Sequence, residues 1–310
     1  MIKTESKNSY YSFGFRIDSY LPLPELPPII ERTDIIIETV NVTKMDLSAF
    51  WSSVASLNEY FAVNDNQVLI RVPDTAIFCI SNGNSIVVSP FEGYNDDKIR
   101  LYILGTCMGV ILLQKKILPL HGSAIAINGK AYAILGESGA GKSTLASILL
   151  EKGFHLLSDD LIPVTLNQNN VPMVSPSYPQ QKMWQETIDH LGMSSSHFQP
   201  LFDRETKFAV PVSSRFCSHS LPLAGIFELV KTETTAAIEP IKGLVRFQML
   251  LRHTFRNFLL EHLELQGWHF TTLSRFVNQI EMFQLQRSSS YFSAHELAAF
   301  LLNTIPKEEL

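Results

Sequence analysis

Short apolar runs broken by turn residues dominate the first third of the chain. Tyr11 to Ile17, Ile35 to Val40, Val68 to Val72, Ala76 to Ile80 and Ser85 to Ser89 are rich in β-branched and aromatic residues. Between them stand Pro22-Leu23-Pro24, Pro27-Pro28, Asn64-Asp65-Asn66 and Asn82-Gly83-Asn84, all turn formers. This spacing predicts a β-rich region over residues 1 to about 95. The apolar run Leu101 to Leu113 is interrupted by Gly105, Thr106 and Gly109. It is shorter than the roughly 18 apolar residues of a membrane span. It reads instead as the core of a buried helix from about Asp97 to Lys116, ended by Pro119.

The pattern then changes. Ser123 to Ile127 and Lys130 to Leu135 are apolar runs separated by Asn128-Gly129. Asn-Gly favours the positive φ angles of a two-residue hairpin turn. The second strand runs into Gly136-Glu137-Ser138-Gly139-Ala140-Gly141-Lys142-Ser143. A helix is expected from Lys142 to Lys152, with Gly153 as its C-terminal glycine. Phe154 to Leu157 reads as a buried strand ending in Ser158-Asp159-Asp160. Residues 165 to 220 look loop-rich, with asparagines and three prolines near the start. Gly225 to Val230 and Met282 to Leu285 read as strands, and Leu244 to Leu263 as one long amphipathic helix. Ser293-Ala294-His295-Glu296 fits a capping box for a last helix. The layout is α/β (α+β overall): a β-rich domain over 1–115 with its connecting helix, then a catalytic domain over 116–310.

Composition narrows the class. The chain has 310 residues, 45% hydrophobic and 18% charged, enough for sizeable cores. A net charge of -5 argues against a dedicated nucleic-acid binder. Cys79, Cys107 and Cys217 are too scattered for a zinc site or a disulfide framework. Reduced thiols and the lack of an apolar leader in MIKTESKNSYYSFGF point to a cytoplasmic protein without a membrane segment. Its apolar helices leave room for a homo-oligomer.

The glycine loop carries the clearest chemistry. G-x-x-x-x-G-K-S between a strand and a helix is a phosphate-binding loop. Gly136, Ser138, Gly139, Ala140, Gly141 and Thr144 join Lys142 and Ser143 as the nucleotide cradle. Glycines let successive amides turn toward one anion, and the helix start adds its dipole. Lys142 would reach the β- and γ-phosphates of ATP, and Ser143 would hold Mg²⁺. Asp159 and Asp160, on opposite faces of a strand, would supply a base for an incoming hydroxyl and a metal contact; the alternative is a pair of turn caps. Counting outward from the Asn128-Gly129 turn puts His121 opposite Gly136, at the mouth of the loop. It is then either a group that meets phosphate or a carboxylate, or a structural histidine. Arg204, Lys207 and Arg215 are further cations able to meet phosphate or to sit in solvent. Arg252 and Arg256 share a helical face at i, i+4.

The run Leu120-His121-Gly122-Ser123, the hairpin, the loop, its helix and Ser158-Asp159-Asp160 resembles the catalytic domain of HPr kinase/phosphorylase. The resemblance covers about residues 117 to 165 closely and 200 to 300 loosely. It implies a kinase of a protein serine. Lys142 and Ser143 would hold phosphates and Mg²⁺, Asp159 would be the catalytic base, Asp160 its acidic neighbour near Mg²⁺, and His121 the active-site histidine. Thr144 stands where the bifunctional enzymes carry an acidic residue, and nothing between Pro163 and Leu223 matches their Arg-Gly-rich loop. The whole layout, opening on Tyr10-Tyr11-Ser12-Phe13-Gly14-Phe15, looks more like the related kinases of lasso-peptide biosynthesis. Those enzymes phosphorylate the C-terminal serine of a precursor peptide. Rival readings are a kinase of another protein or metabolite, a nucleotide sensor without transfer, and a phosphorylase.

Overall fold

The computed structural model describes residues 8–29, 38–201 and 204–306. The chain separates into two compact units. The first holds Met1–Ile117, joined by Leu201–Asp203 and Phe258–Gly267; the second holds the rest. Those two short returns lie beyond the 115/116 division read from the sequence.

The first unit is built on a seven-stranded mixed sheet in the order β1-β2-β3-β7-β6-β5-β4. Its strands are β1 (Asn8–Ser12), β2 (Phe15–Ser19), β3 (Thr39–Lys44), β4 (Phe61–Asn64), β5 (Gln67–Val72), β6 (Ala76–Ser81) and β7 (Ser85–Pro90). The run Tyr11 to Ile17 is two strands and not one. Phe13 and Gly14 have φ of 57° and 85° and turn the chain back on itself. Of the run Ile35 to Val40, residues 35–37 lie outside the described residues, and β3 extends past it to Lys44. A short helix, α1 (Ser48–Ser53), precedes β4.

The expected connecting helix is present but interrupted. Asn95 opens α2 (Asp96–Tyr102) by accepting from the Asp97 and Lys98 amides. A π-helical turn over Ile103–Cys107 leads into α3 (Met108–Gln114). Glycine at 105 lies within this turn, where a wider hydrogen-bonding pattern replaces the α pattern. Gln114 at the helix end donates to the Asn66 and Ile80 carbonyls and accepts from the Gly83 amide, tying α3 to two sheet turns. Lys116, at φ 56°, turns the chain away. Pro119 therefore lies inside the next strand and does not mark the helix end.

The second unit centres on another seven-stranded sheet, in the order β11-β10-β8-β9-β15-β17-β16. Its strands are β8 (Leu118–Ile127), β9 (Lys130–Gly136), β10 (His155–Leu166), β11 (Pro172–Val174), β15 (Leu221–Thr232), β16 (Ala237–Pro240) and β17 (Glu281–Ser288). β11 also pairs with the start of β15, so the first five strands close on themselves. The β8–β9 register runs from Ile127 opposite Lys130 to Gly122 opposite Leu135, as counted from Asn128-Gly129. One face buries Leu120, Ala133 and Met282 against α6 (Leu244–His253) and α8 (Gln266–Phe276). The other buries Ile125, Ile134 and Leu285 against α4 (Lys142–Glu151) and α9 (Ala294–Thr304). Gly153, at φ 97°, ends α4 as expected: its amide bonds Leu150 O and that of Phe154 bonds Leu149 O.

Gly122 is where the hairpin tolerates no side chain. A Cβ there would stand 2.3 Å from the Ile134 carbonyl oxygen. Gly122→Ala should destabilise the protein by about 1–3 kcal/mol through overpacking. A lower urea midpoint at unchanged slope would register it; an unchanged midpoint would contradict the close approach.

Several expected elements differ. Residues 165–220 are not mainly loop. They hold β12 (Gln180–Trp184), α5 (Gln185–His190), β13 (Gln199–Leu201) and β14 (Arg204–Pro211), with β12 antiparallel to β14. The helix read over 244–263 breaks at Thr254, which bridges to Leu120, while the Phe255 amide bonds Pro119 O. Arg256 has φ 49°, so it shares no helical face with Arg252. The remainder, α7 (Leu259–His262), belongs to the first unit. α9 starts at Ala294, but the Ser293 side chain makes no cap bond and Glu296 accepts from Tyr291. No capping box forms. The three cysteines are buried free thiols. No helix among the described residues is long and apolar enough to cross a membrane.

Candidate active site

The site grows from the end of β9. Gly136, Gly139 and Gly141 have φ of 151°, 79° and 105°. At Gly136 a Cβ would meet the Leu229 carbonyl oxygen at 2.6 Å, so the loop can lie against β15 only without a side chain there. Gly141 is the N-cap of α4, and the Leu145 amide bonds its carbonyl to begin the helix. The loop's amides and the helix start therefore share one concave turn. Lys142 Nζ donates to Gly136 O at 2.7 Å and to Glu137 O at 3.0 Å, so the ammonium is held over the loop. Burial lowers its pKa, against the opposing pull of Asp159 and Asp160.

One cavity collects most of the expected residues. His121, Ser138, Gly139, Gly141, Lys142, Ser143, Thr144, Asp159 and Asp160 all line it, joined by Gly122, Lys182, Trp184 and Lys207. Gly136 and Ala140 support it from the loop. Of the weaker cations, Lys207 reaches the cavity, its ammonium 5.3 Å from the Trp184 ring centre. Arg215 lines a different cleft, beside Met183 and Val210. The side chain of Arg204 lies outside the described residues.

The two aspartates differ from expectation in position and direction. They lie within β10 and not at its end, because the strand continues to Leu166 along β8. A register shift between Leu156 and Ser158 comes just before them, and Asp160 has φ 70°. Strict alternation is broken at that residue, so both carboxylates line one cavity.

Their environments also separate. Asp159 is buried; its Oδ1 accepts from the Ser123 hydroxyl at 2.6 Å and its Oδ2 from the Lys182 amide at 2.8 Å. Burial raises its pKa, and those two hydrogen bonds pull the other way. Asp160 Oδ2 meets Lys182 Nζ at 2.6 Å. Burial opposes its charge, but Lys182 and His121 outweigh it and hold the carboxyl well below the usual range. Lys182 is correspondingly raised: burial opposes its charge, and Asp160 overrides it. His121 Nδ1 lies 3.0 Å from the Asp160 carbonyl oxygen, an acceptor, so Nδ1 carries the proton and Nε2 is the acceptor. Burial lowers the pKa of His121, favouring this neutral form. Two carboxylates with pKa values pushed apart can divide the roles of base and fixed charge.

Sequence reasoning missed Ser123, Lys182, Trp184 and Arg287. Ser123 faces Asp159 across the β8–β10 ladder. Lys182 and Trp184 share one face of β12, a strand hidden by the prolines ahead of it. Arg287 on β17 donates to Ala140 O at 3.2 Å and Gly139 O at 3.4 Å, bracing the loop from a strand far along the chain. Among the described residues, no group of three or more His, Cys, Asp or Glu side chains is set to hold a metal ion.

No family model matches the chain. Part of it is similar to curated HPr kinase/phosphorylases. It is 39% identical over 70 residues to that of Mycoplasmopsis pulmonis, covering 22% of this chain and 23% of the relative. It is 31% identical over 104 residues to that of Lactobacillus gasseri, covering 31% and 33%. The chain thus spans a third or less of the length of these relatives. A solved HPr(Ser) kinase/phosphatase from Coxiella burnetii aligns at 14% identity with a TM-score of 0.31, over 60% of this chain and 91% of that one. In sequence, the chain carries local similarity to HPr kinase/phosphorylases.

Proposed function

We propose that this protein is an ATP-dependent kinase that transfers a phosphoryl group to a serine hydroxyl of a peptide or protein. The observation that carries the reading is the buried Asp159 carboxylate in the same cavity as Lys142 of the phosphate loop. The glycine cradle suits a polyphosphate, since the positive φ angles of Gly139 and Gly141 let the loop amides turn toward one anion. ATP with Mg²⁺ would supply the transferable phosphoryl group and neutralise its charge. Ser143 and Asp160 are the residues to hold the metal, whose small hard ion needs few protein ligands. Lys142 exchanges its two loop carbonyls for phosphate oxygens, and the amides of residues 138–143 orient the chain of phosphates. Asp159 accepts the proton of the acceptor hydroxyl, helped by a pKa raised by burial. Lys182 and Lys207 line the cavity and balance negative charge there.

The finer reading names the acceptor as the C-terminal serine of a lasso-peptide precursor, with the first unit as the docking module. It is supported by the layout likeness. Incubation with ATP, Mg²⁺ and a candidate precursor ending in serine, followed by mass spectrometry, tests it. Gain of one phosphate on that serine supports it; no gain there, with gain on other proteins, overturns the acceptor. Lys142→Ala should weaken ATP affinity roughly tenfold or more in calorimetry. Wild-type affinity in that variant would sink the nucleotide assignment.

A further inference from the structure

A second cleft opens beside the phosphate loop. It shares Gly141 and Thr144 with the Asp159 cavity and none of the aspartates. Leu145 and Leu297 give it apolar walls. Its aromatic edge is Phe292 stacked on His190, ring centres 4.5 Å apart and 14° from parallel. His190 is held in place by its Nδ1, which donates to Glu186 O at 2.6 Å. Ser293 lines the same cleft, is 3% exposed, and its hydroxyl has no hydrogen-bond partner among the described residues.

Direction along the loop decides what the cleft receives. A phosphate-loop lysine reaches the β- and γ-phosphates, and Lys142 shares its cavity with Asp159 and Asp160. The distal phosphates therefore face the aspartates. The proximal phosphate lies toward the first turn of α4, where Thr144 borders both spaces. The remainder of the nucleotide leaves the loop on that side. We infer that this cleft is the nucleoside subsite: the base stacks on the Phe292–His190 pair between the apolar walls of Leu145 and Leu297. The inference rests on the nucleotide-binding reading above. Arg287, which lines the cleft and donates to the loop carbonyls, joins this subsite to the phosphate cradle.

Calorimetry with two probes, ATP and inorganic tripolyphosphate, both with Mg²⁺, tests it. Phe292 is 41% exposed, so its replacement should leave the fold intact. Phe292→Ala should weaken ATP roughly tenfold, by loss of base stacking, and leave tripolyphosphate unchanged. Phe292→Tyr should keep ATP affinity near wild type. Unchanged ATP affinity in Phe292→Ala, or an equal fall for both probes, would overturn the subsite. Wild-type protein that binds both probes equally would also overturn it and leave the phosphate loop standing. Wild-type protein that binds neither would remove the nucleotide reading and the subsite together.

Discussion

Asp159→Asn should lower the phosphoryl-transfer rate by about 10²–10⁴-fold while nucleotide affinity stays near wild type. The side chain keeps its shape, so the change isolates proton acceptance. Both oxygens of Asp159 are already engaged, by Ser123 and by the Lys182 amide, which fixes the carboxylate's orientation. Burial raises its pKa above the ordinary 3.8. The base form is the deprotonated one, so the rate should fall as pH drops through that raised value. The acid limb of the rate profile should therefore lie above the position of an ordinary aspartate and vanish in the variant. Single-turnover rates across pH, with ATP affinity measured alongside, would read this. A variant that transfers at the wild-type rate would remove Asp159 as the base and return it to a structural role.

Lys182→Met carries the largest expected loss of stability. Its ammonium and Asp160 form a pair with side chains only 10% and 22% exposed. Removing one partner leaves the other charge buried, which costs about 3–5 kcal/mol. Asp160 would lose the cation that holds its carboxyl low, and its pKa would rise. In the wild type, Asp160 stabilises the fold at pH above its ordinary 3.8, and that contribution is lost as pH falls through its lower folded value. The double variant Lys182→Met with Asp160→Asn should recover part of the stability, since neither charge is then orphaned. Urea denaturation of the four proteins gives the coupling; additive losses would mean the pair does not act as a unit.

The legible parts of the site were those written in adjacent residues. The glycine loop and the Asn128-Gly129 turn each state their geometry within eight residues, and the hairpin register leads to His121 beside the loop, where it lines the cavity; the Asp pair is legible as residues, but the turned backbone that aims both into one cavity is not. What was hidden depends on distant strands. Lys182 and Arg287 reach the site only after β12 and β17 fold, and neither sits in a motif. The helix over 244–263 was misread because its amphipathic period continues through Thr254, while pairing with Leu120 and Pro119 pulls the backbone away. Ser293 shows the same limit: its spacing to Glu296 fits a cap, but the hydroxyl does not make that bond. Local spacing states which bonds can form, and tertiary pairing decides which do.

The left-handed backbone at Asp160 filters what can stand at that position twice over. Its φ of 70° favours glycine and the short polar residues, whose side chains satisfy a turned backbone locally. The pairing with Lys182 demands a negative charge. Glycine and asparagine pass the first filter and fail the second; glutamate passes the second and fits the first poorly. Among the twenty residue types, aspartate alone meets both conditions. The neighbouring Asp159 lies under no such backbone restriction, so the two acids of one dipeptide are held by unrelated physics.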